Sequence, residues 1–264
     1  MTAAADTAPT AAASRARHPG LRSFLVMVVS EFKMVLRDTA GMVTPIGLPM
    51  LILLTSAGST ADVDVGGGLT ALDVFVIPLM IMMVLSMIGV LNMPSFLAYY
   101  RRTGILKRLS VTPVSPVMVL AAQVVVSILQ SAIGIAVALG VTAAVFGLNP
   151  PTHLALALGV LALSAASMYS LGMIVASISP TPNSAVAIGL IGFLGMGALG
   201  GMFGGRDALP EPIAVIGDHL PFGAGVQALQ QAWAGAPIEA APILSLLAAL
   251  VIGVVVSAVL FRWE

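Results

Sequence analysis

The sequence predicts an all-α polytopic membrane protein with six transmembrane helices. Of its 264 residues, 59% are apolar and only 8% are charged, whereas about 25% of the residues of a typical soluble domain are charged. The stretch from residue 109 to residue 205 contains no Asp, Glu, Lys or Arg, which is enough chain for three spans of about 20 residues each. Turn-forming residues and charges divide the apolar sequence into six spans, at about 39–61, 74–98, 117–146, 154–178, 184–204 and 240–261.

The N-terminal region divides into a tail and a helix. Residues 1–20 are rich in Ala, Thr, Pro and Ser, a composition typical of a disordered segment, and we expect a cytoplasmic tail here. Residues 21–38 place apolar side chains on one wide helical face and Arg22, Lys33 and Arg37 on the other. This pattern predicts an amphipathic helix that lies in the membrane interface. A spanning helix is disfavoured, because each charge in the middle of a membrane costs at least ~2.5 kcal/mol.

The segment before the last span is longer than a simple loop. Residues 205–237 contain two short apolar pieces, at about 211–217 and 222–233. Neither piece is long enough to cross the hydrocarbon region, which requires about 20 residues. The sequence therefore predicts a re-entrant or interfacial helical segment, after which the last span follows.

The basic residues are distributed unevenly along the chain. Ten of the eleven lie before the first span, between the second and third spans, or at the C-terminus, and only Arg206 lies elsewhere. Because Lys and Arg resist translocation, this distribution predicts that both termini are cytoplasmic in a multi-pass plasma membrane protein. The net charge of zero argues against a nucleic-acid partner, which normally meets a basic face. The absence of cysteine excludes disulfides and cysteine-ligated metal centres.

A basic loop, Tyr99–Pro116, connects the second and third predicted spans. Four of the eleven basic residues lie within eight positions of this loop: Arg101, Arg102, Lys107 and Arg108. Ile105, Leu106 and Leu109 recur at helical spacing, so a short helix here would have one apolar face. Pro113 would end that helix, because proline lacks an amide hydrogen. The loop is either a docking surface or only a topology anchor, and the charge pattern alone is compatible with both.

The loop also resembles a known sequence pattern. Residues 101–116 read Arg-Arg-Thr-Gly-Ile-Leu-Lys-Arg-Leu-Ser-Val-Thr-Pro-Val-Ser-Pro. This is similar to the first cytoplasmic loop of ABC type-2 exporter permeases, including those of the multidrug- and daunorubicin-resistance type, which looks like R-E-x-G-x-L-K-R-L-x-x-T-P-x-S. The matching residues are Gly104, Leu106, Lys107, Arg108, Leu109, Thr112, Pro113 and Ser115. Arg102 departs from the pattern, since the family usually has glutamate there.

The resemblance extends over residues 21–264, which it identifies as one permease domain. It implies a subunit that pairs with a second permease copy, identical or related, among membrane lipids, and with a soluble ABC ATPase. It implies export of an amphipathic or hydrophobic small molecule or lipid across the bacterial plasma membrane. The implied ATPase-coupling helix contains Arg101, Arg102, Gly104, Leu106, Lys107, Arg108, Leu109, Thr112 and Pro113.

The sequence indicates that the chain itself is not an enzyme. Lys33 and Lys107 are its only lysines, and neither lies in a G-x-x-x-x-G-K-[ST] phosphate-binding loop. We therefore expect no cofactor on this chain, with ATP and magnesium bound by the partner ATPase. The predicted spans contain no Asp, Glu, Lys, Arg or His, which argues against coupling to ions. The alternative is a non-ABC channel or structural membrane subunit.

Polar and flexible side chains in the spans are candidates for a transport pathway or a dimer interface. They are Asn92, Gln123 and Gln130, together with the methionine stripe Met80, Met83 and Met87. Hydrogen bonding and packing between helices of one chain is the alternative role for these residues. Four glycines of the fifth span, Gly197, Gly200, Gly201 and Gly204, are expected to let helices pack closely. Three scattered histidines predict no metal site.

Overall fold

The computed structural model describes residues 20–105 and 116–260, and the predicted tail lies outside this part except for Gly20. The described chain is almost entirely helical. In chain order its longer helices are α1 (Leu21–Arg37), α2 (Thr39–Thr60), α3 (Leu72–Arg102), α4 (Pro116–Val145), α5 (Leu154–Ile178), α6 (Pro182–Leu199), α7 (Glu211–His219), α8 (Pro221–Ala234) and α9 (Ala240–Leu260). A short antiparallel hairpin joins β1 (Asp64–Gly66) to β2 (Leu69–Thr70), and a 3₁₀ turn spans Arg206–Ala208.

Six of these helices are long and apolar enough to cross a membrane: α2, α3, α4, α5, α6 and α9. This confirms the predicted fold class of an all-α polytopic membrane protein. Helices α7 and α8 occupy the two short apolar pieces that precede the last span, and both are too short to cross.

Helix α1 has two different apolar surfaces. Val28 and Val35 are buried against α3 and α4, where they pack with Phe96. Leu21 and Leu25, by contrast, are more than half exposed. A helix that is held to the protein on one face and presents apolar side chains on another has the features expected of an interfacial helix.

Helix α3 is the centre of the molecule. Its methionines Met80, Met83 and Met87 are all buried, each with at most 2% of its surface exposed. The helix is longer than predicted at both ends, and it contains two π-helical segments, Leu72–Val76 and Met87–Asn92. Such π-helical segments are rare, and within α-helices they occur frequently at functional sites.

The second π segment is packed against glycines of two neighbouring helices. A Cβ atom added at Gly172 of α5 would lie 1.9 Å from the carbonyl oxygen of Gly89, and one added at Gly189 of α6 would lie 2.3 Å from that of Val90. No larger residue fits at either position without moving a backbone. These contacts, which were not predicted from the sequence, hold α5 and α6 against the middle of α3.

The fifth transmembrane helix is shorter than predicted. Helix α6 ends at Leu199 instead of residue 204, because Gly201 adopts a φ of +82° and turns the chain. Gly201 and Gly204 therefore lie in a turn and not on a helix surface. Gly200 caps the helix, and a Cβ atom there would lie 2.7 Å from the ring of Phe222. Gly197 lies beside Met202.

The end of the molecule opposite the basic loop is held by a buried carboxylate. Asp73 is 1% exposed and accepts hydrogen bonds from Thr70 and from the side chain of Asn149, the latter at 2.9 Å. Trp233 is also buried and donates its indole N–H to the carbonyl of Asn149 at 3.1 Å. The ring of Trp233 therefore packs inside the protein.

Candidate functional site

The basic loop leaves the helices at a sharp turn. Arg101 and Arg102 form the last turn of α3, Thr103 and Gly104 form a turn, and Gly104 has a φ of +70°. The predicted helix from Arg101 to Leu109 is therefore interrupted at Gly104, since a residue with positive φ interrupts a right-handed helix, and its ATPase-coupling role stays a prediction. The other residues of the predicted coupling helix, Leu106, Lys107, Arg108, Leu109, Thr112 and Pro113, lie outside the described residues.

A polar cluster joins the last turn of α3 to α1 and α4. The hydroxyl of Tyr100 donates a short hydrogen bond to the carboxylate of Glu31, and the amide nitrogen of Gln123 donates to the same carboxylate oxygen at 2.7 Å. Gln123 also lies 3.3 Å from the Tyr100 hydroxyl. Tyr100 and Gln123 are buried, and Ile105 and Val119 cover the tyrosine. The three side chains thus form one hydrogen-bonded unit that connects three helices.

Burial affects the pKa of Glu31. Desolvation raises the pKa of this carboxyl, and the hydrogen bonds from Tyr100 and Gln123 offset part of that rise. Glu31 was not predicted as a site residue, because the charges of α1 were expected to be exposed. A signal was present, however: Glu31 follows Val28 by three residues and precedes Val35 by four, so it shares their buried helical face.

Arg101 attaches the same turn of α3 to a fourth helix. Its guanidinium donates to the carbonyl oxygen of Ala176 at 2.9 Å and to that of Ser179, at the C-terminal end of α5. Cationic side chains at this end of a helix satisfy carbonyls that lack helical partners and complement the helix dipole. Arg102 is exposed and forms no ion pair with any described residue.

A second polar cluster lies deeper, where α2, α3 and α4 meet. The side-chain nitrogens of Asn92 and Gln130 donate to the carbonyl oxygen of Gly41 at 2.8 Å and 2.7 Å, and Asn92 also donates to the Gln130 side chain at 3.1 Å. These candidate pathway residues therefore form hydrogen bonds within one chain. The methionine stripe likewise lies inside the chain and not on its surface.

A cavity of about 200 Å³ adjoins this second cluster, between α2, α3 and α6. Its lining includes Asp38, Gly41, Met87, Leu91, Asn92 and Val186. The described residues contain no group of three or more His, Asp or Glu side chains that could hold a metal ion.

The family model of ABC-2 type transporters matches residues 22–233. The chain belongs to the ABC-2 type transporter family. No individual curated protein matches it. It is thus the transmembrane component of an ABC transporter, and this family generally works with an ABC ATPase. The alternative of a non-ABC channel or structural subunit no longer applies.

The ABC-2 match includes every residue of the two polar clusters. It begins in α1 and ends at Trp233 in α8, so Glu31 and the interfacial helix lie inside the family domain and not in an appended segment. The basic loop lies within it as well. The last transmembrane helix, α9, follows the matched region.

The side chains of Tyr100 and Arg101 attach three helices, α1, α4 and α5, to the last turn of α3. That turn leads directly into the basic loop, so the attachments meet where the chain enters the loop.

Proposed function

We propose that this chain is the permease subunit of an ABC exporter and that its ATPase docks on the basic loop, Tyr99–Pro116. The exporter would move an amphipathic or hydrophobic small molecule, or a lipid, out across the bacterial plasma membrane. The observation that carries the proposal is the attachment of α1, α4 and α5 to the helical turn that enters the loop. Closure of the ATPase on ATP would displace that turn, and the attached helices would follow.

The composition of the loop supports docking. Leu106 and Leu109 would bury their apolar side chains in a groove of the ATPase, and each fully buried leucine contributes about 1.5–3 kcal/mol. Arg101 is already engaged with carbonyls of α5, so Lys107 and Arg108 would supply the charge pairs or lipid contacts. Arg102, which replaces the family's usual glutamate, is exposed and free of ion pairs with described residues.

The proposed direction of transport and the proposed location of the chain rest on the distribution of its basic residues. Ten of eleven basic residues would lie at the side of the basic loop in the six-span topology, and basic loops stay cytoplasmic. Six candidate spanning helices in the described part of the chain support a topology in which both ends of the chain lie on that same side. The ATPase would therefore bind in the cytoplasm, with the chain in the plasma membrane.

The lining of the transmembrane region supports an apolar or amphipathic substrate. A cavity of about 320 Å³ between α3, α4 and α5 is lined mainly by aliphatic side chains such as Leu85 and Ile135. Ligand pockets of this character typically have volumes of about 300–1,000 Å³. Two permease copies would enclose a larger pathway, and the family resemblance supports such a pair, identical or related.

The experiment is a pull-down of the tagged chain from its native membrane, followed by mass spectrometry and an assay of ATP hydrolysis. We expect an ATPase with a Walker A loop in a stoichiometric amount. The double variant Leu106→Asp/Leu109→Asp should lose that ATPase but still insert in the membrane. A matched control, Val63→Asp/Val65→Asp, makes the same chemical change at exposed residues near the hairpin on the other side and should keep it.

Two outcomes would contradict the proposal. The absence of any ATPase, under conditions that preserve other membrane complexes, would remove the exporter assignment. Retention of the ATPase and of its activity by the Leu106/Leu109 variant would show that the loop is only a topology anchor.

A further inference from the structure

Helix α1 separates its charged side chains by sign. The two carboxylates at this helix are engaged within the protein: Glu31 accepts hydrogen bonds from Tyr100 and Gln123, and Asp38, which follows the helix, accepts the backbone N–H of Gly41 at 3.1 Å. The three basic residues of the helix are all exposed, namely Arg22, Lys33 and Arg37. None of these three forms a salt bridge with a described residue.

The three basic residues share one face of α1. Successive residues of an α-helix are about 100° apart around its axis, so Lys33 lies about 200° from Glu31. Arg22 and Arg37 lie within about 40° of Lys33 by the same rotation. Glu31 is on the side of the helix that packs against α3 and α4. The cationic face, which we define as Arg22, Lys33 and Arg37, therefore points away from the rest of the protein.

An exposed apolar surface adjoins the cationic face on one side. Leu25 is 53% exposed, Val29 is 51% exposed and Leu36 is 49% exposed, and all three lie about 40–80° from Lys33 around the helix. When such side chains enter the hydrocarbon, the helix axis lies near the boundary between the headgroups and the acyl chains. The cationic face then points along the membrane plane, at the depth of the lipid phosphates.

The cationic face has no counter-charge among the described residues. Lys33 and Arg37 are four residues apart, so they are neighbours on the helix surface, where like charges repel each other. An anion between them would relieve this repulsion. A phosphate group is suited to this position, because it accepts several hydrogen bonds and pairs with both guanidinium and ammonium groups.

The direction of the cationic face favours a lipid over a protein as the partner. The proposed ATPase is soluble and would approach the basic loop from the cytoplasm. A face that points along the membrane plane, next to apolar side chains in the hydrocarbon, meets lipid headgroups instead. Each Lys or Arg near an anionic membrane surface strengthens association by about fivefold.

We propose that the cationic face of α1 binds the headgroups of anionic phospholipids. The ligand class is a phospholipid with a net negative headgroup, such as phosphatidylglycerol, whose phosphate lies against Lys33 and Arg37 and whose acyl chains lie beside Leu36. This interaction surface is separate from the proposed docking of an ATPase and from the transported molecule, and it requires neither.

The test measures which lipid lies next to α1 in the purified full chain. The sequence has no cysteine, so a single fluorescent label can be attached at Ser30→Cys, an exposed position three residues from Lys33. The chain is placed in phosphatidylcholine nanodiscs that contain phosphatidylglycerol with a nitroxide quencher on its acyl chain, near the headgroup. Phosphatidylcholine with the same nitroxide is the reference, and the quenching by each lipid gives their relative binding constant at the label.

We expect phosphatidylglycerol to be preferred at least about tenfold at low ionic strength, because three cations contribute. The preference should fall towards one in 1 M salt, where the Debye length is only about 3 Å. A label at Val145→Cys, an exposed position at the other end of α4, should show no such preference.

Substitutions test which side chains are responsible. The triple variant Arg22→Gln/Lys33→Gln/Arg37→Gln should lower the preference at least about fivefold. The variant Lys33→Arg/Arg37→Lys keeps both charges and should keep the preference. The control Arg102→Gln removes an exposed cation at the end of α3 and should leave the preference at residue 30 unchanged. If the triple variant does not insert, Lys33→Gln alone should still lower the preference about two- to fivefold.

Equal binding of the two lipids next to residue 30 would overturn the proposal, because the cations would then be only solvated. A preference that survives in the triple variant would overturn it as well, as would an equal preference at Val145. If the triple variant has lost its ATPase in the pull-down and the unchanged chain shows no lipid preference, the cationic face binds the protein partner instead.

Discussion

Replacing Gly172 by alanine tests the packing that holds the centre of the molecule together. A Cβ atom at this position would lie 1.9 Å from the carbonyl oxygen of Gly89, whereas Cβ atoms essentially never come within 3.0 Å of such an atom. The backbones of α5 and α3 would therefore have to separate by about 1.1 Å. The atom in the way belongs to a backbone, so it cannot rotate aside as the end of a side chain could.

The expected cost follows from two opposing effects. Forcing extra atoms into a packed interior destabilises a protein by about 1–3 kcal/mol, and the upper part of that range applies because a backbone has to move. Alanine favours a helix over glycine by about 0.8–1.0 kcal/mol. We expect Gly172→Ala to destabilise the protein by about 1–2 kcal/mol after this compensation. In Gly159→Ala, on the same helix, the added Cβ atom meets no atom within 4 Å. Only the gain in helix propensity remains there, so this variant should be slightly more stable than the unchanged protein.

The assay is thermal denaturation of both variants in one detergent, followed by tryptophan fluorescence. Trp233 is buried, so its emission changes when the helices separate. We expect the melting temperature to fall for Gly172→Ala and to stay the same or rise for Gly159→Ala. A second pair on α6, Gly189→Ala and Gly195→Ala, repeats the comparison, since only the former clashes. Equal melting temperatures within each pair would refute the argument from close packing.

Two further predictions concern the hydrogen-bonded carboxyl groups of Glu31 and Asp73. Burial raises the pKa of Glu31 above 4.5, so the folded protein binds this proton more tightly than the unfolded chain does. Stability should therefore decrease as the pH rises from about 4.5 through the raised pKa, and Glu31→Gln should flatten that dependence; identical pH profiles of the melting temperature would contradict this. Asn149→Ala removes a donor from the buried carboxylate of Asp73 and should lower the free energy of unfolding by about 1–3 kcal/mol. The control is Asn183→Ala, at an exposed residue. Equal melting temperatures of the two variants would refute this prediction.

The transmembrane helices could be predicted because their signal is local. A run of about 20 residues without charges is required to cross the hydrocarbon region and is rare elsewhere, so all six helices were found. The end of α6 was placed wrongly because glycine fits both a close helix contact and a turn. Only the φ of +82° at Gly201 decides between them, and the sequence does not contain that angle.

The polar clusters could be predicted only in part, because they depend on distant residues. Gln123 was recognised as a polar residue in a span, but its partners Glu31 and Tyr100 lie 92 and 23 positions away. A pattern of spacing within one helix shows which residues share a face, and it does not show what that face contacts. The orientation of the Asn92 amide could not be predicted for the same reason, since it follows from the hydrogen bonds that Asn92 and Gln130 donate to the carbonyl of Gly41.

The two clusters lie on one rigid element. Asn92 and Tyr100 are eight residues apart on α3, which corresponds to about 12 Å along a helix. Asn92 ends the π segment that α5 and α6 clamp through their glycines, and Tyr100 lies in the turn that enters the basic loop. A displacement of the loop that moved α3 along its axis would therefore change the position of Asn92 relative to Asp38, which belongs to the junction of α1 and α2. In this arrangement one buried helix connects the polar cluster around Gly41 with the basic loop.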